Sequence, residues 1–185
     1  MGDRRTRLLD AAIEIVAEHG LPGLTHDAVD AAAGAGPGTA REELPTQQAL
    51  VEGVTERCIE REMEMATPDG PVDVSSEGIA AMFGQFVGRA LGDDRSVTLA
   101  RYALQAEAAR TPSLRPFYAV GADEVDTWAV ALVRRAGSVH PERDFGIMAN
   151  YVTGLVFHEL ALPTPDLDAA ARVRTLIDAL GWTTP

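Results

Sequence analysis

A chain of 185 residues carries 28 acidic side chains against 16 basic ones, a net charge of −12, which excludes a general polyanion binder and leaves only local attraction to nucleic acid. Its single cysteine, Cys58, excludes an intrachain disulfide and reads as a packed helix residue. No run approaches the roughly 20 apolar residues that cross a bilayer, and Met1 to Arg7 is polar with no signal-peptide core behind it, so the cytoplasm is the expected location.

The first helix is expected from Asp3 to His19, where Leu9, Ile13 and Val16 form one apolar stripe with Leu8, Ala12 and Ile15 beside it. Gly20 ends it. Thr25 then has the hydroxyl of an N-cap, Val29 with Ala32 or Ala33 supplies a small apolar face, and Gly34 stops the helix where a positive φ is cheap. A second short helix starts at once: Pro37 suits its first turn, Ala40 and Leu44 form its apolar side, and Pro45 closes it. Thr46 caps the next helix. Two short helices joined by a tight glycine turn are a helix-turn-helix, whose second helix enters the major groove of DNA while the first braces it.

Gly20, Thr25, Val29, Ala33-Gly34, Gly38-Thr39, Leu44-Pro45 and Ala49-Leu50 fall in the order and spacing of a known head. Over about the first 55 residues the chain resembles the amino-terminal domain of the TetR (tetracycline-repressor-like) family of bacterial transcription regulators. The resemblance implies an operator-binding head at 1–50, a helical ligand-binding and dimerisation body at 51–185, about nine helices in all, and repression as the usual sign. It also implies that Arg4 and Arg5, with Arg7, touch backbone or minor groove; plain exposed solubilising charge is the alternative for all three.

Where family members carry a lysine near Pro37, a tyrosine at Arg41 and a phosphate-binding lysine at Gln47, this chain has lost the contact, and Glu42 and Glu43 replace small polar or aromatic residues. Asp30 stands where alanine is usual. Over residues 1–50 only Arg4, Arg5, Arg7 and Arg41 oppose Asp3, Asp10, Glu14, Glu18, Asp27, Asp30, Glu42 and Glu43, which works against binding driven by phosphate neutralisation. Direct readout is still open to it: Arg41 can bond guanine O6 and N7, and Glu42 or Glu43 can accept from cytosine N4. Gly36, Gly38 and Thr39 would let the helix N-terminus approach a phosphate. The competing reading makes Glu42 and Glu43 a solvated face on a helix that no longer docks.

From Thr46 to about Ala66 a long helix is expected, with Ala49, Leu50, Val54 and Ile59 inward and a charged outer face that includes Glu56, Arg57, Glu60, Arg61, Glu62 and Glu64. In the family this helix is the lever through which ligand binding moves two heads. Thr67 to Val74 is a linker rich in Pro, Gly and Asp. Ser75 or Ser76 caps a helix with Ile79, Met82, Phe83, Phe86 and Ala90 on one side; Gly92 to Asp94 breaks it. Arg95 to Arg110 follows, carrying Leu99, Tyr102, Ala103 and Ala106, and Thr111-Pro112 stops it. Ser113 to about Ala136 repeats Phe117, Gly121, Val125, Trp128 and Leu132 at helical spacing, with Pro116 tolerated in the first turn. The last pair runs from His140 to Leu162 and from Asp166 to Gly181. Similar terminal helices in the family form a homodimer's four-helix bundle. No segment alternates like a half-buried strand, so the fold is all-α.

His19, His26, His140 and His158 are dispersed, and no metal frame, nucleotide loop or nucleophile elbow occurs. Neither catalysis nor a cofactor is expected. Met82, Phe83, Phe86, Tyr102, Phe117, Trp128, Met148 and Tyr151 put aromatic and soft side chains on body stripes, the lining that a small apolar or aromatic ligand prefers. Gln105, with Gln85, Asn150 and His158, supplies candidate polar anchors, and plain core is the alternative for the apolar set.

Overall fold

Glycines at positive φ and short proline-containing breaks cut the chain into nine α-helices and one 3-10 turn, with no strand among the described residues. The computed structural model describes residues 2–68 and 70–182, the side chains of residues 2, 3 and 119–126 excepted; Gly121 and Val125 of the expected stripe fall within that exception. The helices are α1 (Gly2–Gly23), α2 (His26–Ala32), α3 (Thr39–Glu43), α4 (Gln47–Ala66), α5 (Ser76–Leu91), α6 (Arg95–Arg110), α7 (Arg115–Arg135), α8 (Pro141–Ala161) and α9 (Ala169–Leu180). The 3-10 turn Pro112–Leu114 precedes α7. The all-helical fold expected from periodicity is the one observed.

Local chemistry set most of the boundaries. Gly20 at φ 66° breaks the helical path of α1, and the chain makes one further turn to Gly23. The hydroxyls of Thr25, Thr46 and Ser75 accept the N–H groups of Ala28, Ala49 and Gly78. Pro37 is different from expectation: α3 starts only at Thr39, because Gly38 takes φ 89° as its N-cap and leaves Pro37 outside the helix.

Packing divides the chain into two units, Met1–Glu64 with Arg95–Gly121, and Met65–Asp94 with Ala122–Pro185. In the first, α1 packs along α6, and Leu8, Ile13, Leu24, Val29, Leu44, Leu50, Val54 and Leu104 form one closed core. Each such side chain contributes about 1.5–3 kcal/mol by leaving water. The Arg57 guanidinium on α4 reaches Asp10 on α1 at 2.8 Å. A Cβ on Gly53 would lie 3.1 Å from Leu44 and 3.2 Å from Leu9, so the missing side chain lets α4 run close to α1 and the end of α3.

In the second unit α5 packs on α9 and α8, burying Ile79 and Val87 with Met148, Val152, Val156, Val173 and Ile177. Gly84 meets Ala170, where an added Cβ would stand 2.9 Å from the alanine's own. The buried Asp144 carboxylate accepts from Ser138 Oγ at 2.5 Å, Trp182 Nε1 at 2.9 Å and Arg143 Nε at 2.8 Å, tying the residue after α9 to the first turn of α8. Glu159, equally enclosed, accepts the Thr164 N–H and hydroxyl and so sets the α8–α9 turn.

Candidate functional site

The head is three helices, and the third, α3, is too short to be stable alone. Five residues make a single turn, whereas isolated helices need about 12–15 residues to be even marginal in water. Side chains from α2 supply what the helix lacks. Asp30, only 4% exposed, accepts the Gly38 N–H through Oδ2 and the Ala40 N–H through Oδ1, both at 2.7 Å. At the other end, buried His26 donates from Nε2 to the Leu44 carbonyl at 2.6 Å. Asp30 is therefore the cap of α3.

That arrangement alters what the α3 N-terminus can offer. The Gly38 and Ala40 N–H groups already have a carboxylate as partner, and Thr39 gives both its N–H and its hydroxyl to the Gly36 carbonyl, at 3.1 and 2.6 Å. The expected phosphate seat at Gly36, Gly38 and Thr39 is thus occupied from within. Thr25 is exposed but its hydroxyl caps α2. Gln47 lies at the surface and donates its amide to the Leu24 carbonyl at 2.7 Å, a link within the head.

Arg41 and Glu42 project from α3 and are exposed. Their neighbour Glu43 is engaged: Arg4 pairs with its carboxylate, with Nε at 2.8 Å, and Arg5 Nη1 donates to its backbone carbonyl at 3.2 Å. The hydrogen bond and charge of Glu43 hold the Arg4 guanidinium pKa above its usual value. The two arginines expected to reach DNA backbone thus fasten α1 to the end of α3. Of the eight head carboxylates, Asp10, Asp30 and Glu43 are bonded to protein groups.

The expected ligand-facing residues differ widely in exposure. Met82, Phe83, Phe86, Tyr102 and Phe117 are half-buried. Met148 is fully enclosed core, while Trp128 at 42% and Tyr151 at 37% are exposed. Gln105 is exposed as well, as are Gln85, Asn150 and His158, so none of the four expected anchors points into the chain's interior. An apolar stripe read from periodicity is wider than the arc a helix buries, and residues at its margins stay outside.

Glu62, expected on an outer face, is half-buried and turned toward α6. Arg101 on α6 is only 9% exposed, its Nε 3.3 Å from Glu62 Oε1 on α4 and its Cζ 4.3 Å from the Tyr102 ring centroid. Burial pushes the Glu62 carboxyl pKa up, and the Arg101 charge opposes that. The Cys58 thiol beside them donates to the Val97 carbonyl at 3.4 Å, and burial raises its pKa to about 12. A separate open cleft of about 790 Å³ runs past Leu21, Gln47, Val51, Ala103 and Glu107, and no expected ligand residue lines it. Among the described residues no group of three or more His, Cys, Asp or Glu side chains could hold a metal, and no helix is long and apolar enough to cross a membrane.

An all-helical chain with a capped helix-turn-helix ahead of a long connecting helix defines a class of helix-turn-helix regulators. Residues 74–181 match the family model described as the tetracyclin repressor-like C-terminal domain. The chain belongs to the TetR family of transcriptional regulators, whose members are not enzymes. It is similar in structure to a TetR-family transcriptional regulator from Rhodococcus sp., with 22% identity, TM-score 0.77 and coverage of 97% of this chain and 99% of that one. A TetR-family member from Streptomyces coelicolor A3 is 24% identical over 99% of each chain at TM-score 0.70. The multidrug-binding protein EbrR, in complex with ethidium, is 25% identical over 98% of this chain and 99% of its own at TM-score 0.71. No curated protein matches in sequence.

Proposed function

We propose that this regulator binds a palindromic operator in the cytoplasm as a homodimer, through its head at residues 1–50. It represses from there, and it releases the DNA when a small apolar or aromatic molecule enters the body at 51–185. The observation that carries the operator reading is the pairing on α3 of exposed Arg41 and Glu42 with a helix held rigid at both ends by Asp30 and His26. Arg41 is turned outward, where its fork suits guanine, and Glu42 can take a cytosine amino group. In the free protein Arg4 and Arg5 are held at the end of α3 by Glu43.

The dimer reading is supported by α8. Ile147, Tyr151 and Phe157 are exposed at 39%, 37% and 60%, and Gly146 and Gly154 lie on the same broad face with open space where a side chain would be. An apolar face interrupted by glycines suits close contact with a two-fold mate through the last two helices. The ligand reading is supported by EbrR, whose complexes hold ethidium and proflavin.

A second reading, a ligand-binding dimer that has lost operator affinity and acts through protein contacts, draws support from the engagement of Arg4 with Glu43. Fluorescence anisotropy with the chain's own upstream DNA at several salt concentrations separates the two. Tight, sequence-dependent binding with a shallow salt slope supports the operator reading, because few cations are free to displace counterions. Equal affinity for random duplex supports the second reading.

A further inference from the structure

The Arg101 side chain is nine-tenths buried, yet its guanidinium forms no hydrogen bond with any described residue; its polar contact is the single ion-pair approach to Glu62 at 3.3 Å. Nearby, at the start of α7, Tyr118 is half-buried, and burial together with the charges of Cys58 and Glu62 raises its pKa. Its hydroxyl likewise has no partner among the described residues. No fully enclosed side-chain nitrogen or oxygen atom of the described residues lacks a hydrogen bond. The Arg101 nitrogens and the Tyr118 hydroxyl therefore each keep some accessible surface.

A guanidinium has five N–H donors in a planar fork that matches a carboxylate bidentately. Here Glu62 approaches through Nε, and Tyr102 lies against the plane, which fixes the orientation with no hydrogen bond from the two terminal nitrogens to a described residue. Fork and phenol are donors of the same kind of bond, and a buried set of donors calls for an acceptor-rich ligand. We propose that Arg101 and Tyr118 form the anchor for the carboxylate of an otherwise apolar organic acid, with Glu62 as the residue that positions the guanidinium. This rests on the reading that the protein takes a small molecule, and it narrows that ligand from any apolar compound to an apolar acid. The site lies between α4, α6 and the first turns of α7, and α4 begins directly after the head, so occupancy would act on the helix that carries α3.

The test is isothermal titration calorimetry on the full chain with octanoate and 4-phenylbutyrate, set against 1-octanol, 4-phenylbutanol and ethidium. The acids are expected to bind at least tenfold more tightly than the matching alcohols, which corresponds to about 1.4 kcal/mol. Tyr118→Phe should weaken the acids several-fold and leave the alcohols unchanged. Arg101→Met should remove the preference altogether, and Arg101→Lys, which keeps a charge to face Glu62, should lose most of it because the fork is gone. Circular dichroism checks the fold of each variant, and the tyrosine variant stands as the test if both arginine variants fail to fold. If acids and alcohols bind alike, or if ethidium binds, the acids do not and Glu62→Gln abolishes the dye, the anchor proposal is overturned while the ligand reading survives. If none of the probes binds, both are overturned.

Discussion

Asp30 Oδ1 accepts the Ala40 N–H at 2.7 Å, so α2 caps α3 across ten residues of chain. With Gly38 bonded to the same carboxylate, two of the N–H groups at the start of α3 are paired with a buried negative charge. Asp30→Ala should cost about 2–4 kcal/mol, since each hydrogen bond to a charged group contributes about 1.5–3 kcal/mol and the two are not additive. Asp30→Asn keeps an acceptor for one N–H and should cost less. Urea unfolding of the three proteins gives the order, and a wild-type midpoint for Asp30→Ala would contradict it.

Glu43 holds Arg4 in an ion pair that a DNA phosphate would have to displace. Replacing it by glutamine removes the ion pair while keeping the side chain's length, which frees one guanidinium near the recognition helix. Operator affinity should rise severalfold at low salt, and the salt slope should steepen by about one counterion. Stability should hardly change, because the pair is at the surface and Arg4 is half exposed. Anisotropy titrations from low to moderate salt measure both quantities; a weaker complex would mean that Arg4 must stay on α3 for the head to read DNA.

Asp144 should show in the acid limb of stability. Burial alone would raise its pKa, but the hydrogen bonds from Ser138, Arg143 and Trp182 outweigh burial and hold the carboxyl below its usual value. A carboxyl depressed in the folded state contributes stability above its unfolded pKa of about 4, and that contribution is lost as pH falls through the folded value. Wild-type protein should therefore lose stability steeply below about pH 4, and Asp144→Asn should flatten that limb while lowering stability at pH 7. Trp182 fluorescence during urea titrations at several pH values follows the same contact.

Cys58 should be inert in the native protein. With the thiol pKa raised to about 12, only about one molecule in ten thousand is a thiolate at pH 8, and the side chain is 2% exposed. Reaction with a disulfide reagent should be undetectable over an hour in buffer and reach one equivalent in urea. Rapid native labelling would show that α4 and α6 separate on that timescale.

The helix ends were legible because their chemistry is local: Gly20, Thr25, Gly34, Thr46 and Ser75 act within a few residues of where they stand. Asp30 was misread as an isolated charge because its partners are eight and ten residues away, across the turn. The Arg4–Glu43 and Glu62–Arg101 pairs each join residues 39 apart in the chain, and no periodicity brings such positions together. Glu62 illustrates the difficulty. On α4 it sits in a run of charged residues that reads as an outer face, and only α6 packed beside it turns that position inward. Along α5 the stripe was found, but Ile79, Val87 and Ala90 form its enclosed line while Met82, Phe83 and Phe86 remain at the margin.

The one-turn length of α3 divides labour within the head. Its foldedness is outsourced to Asp30, His26 and Arg5, whereas the side chains of Arg41 and Glu42 stay exposed. A lineage could therefore exchange Arg41 and Glu42 without first solving a folding problem.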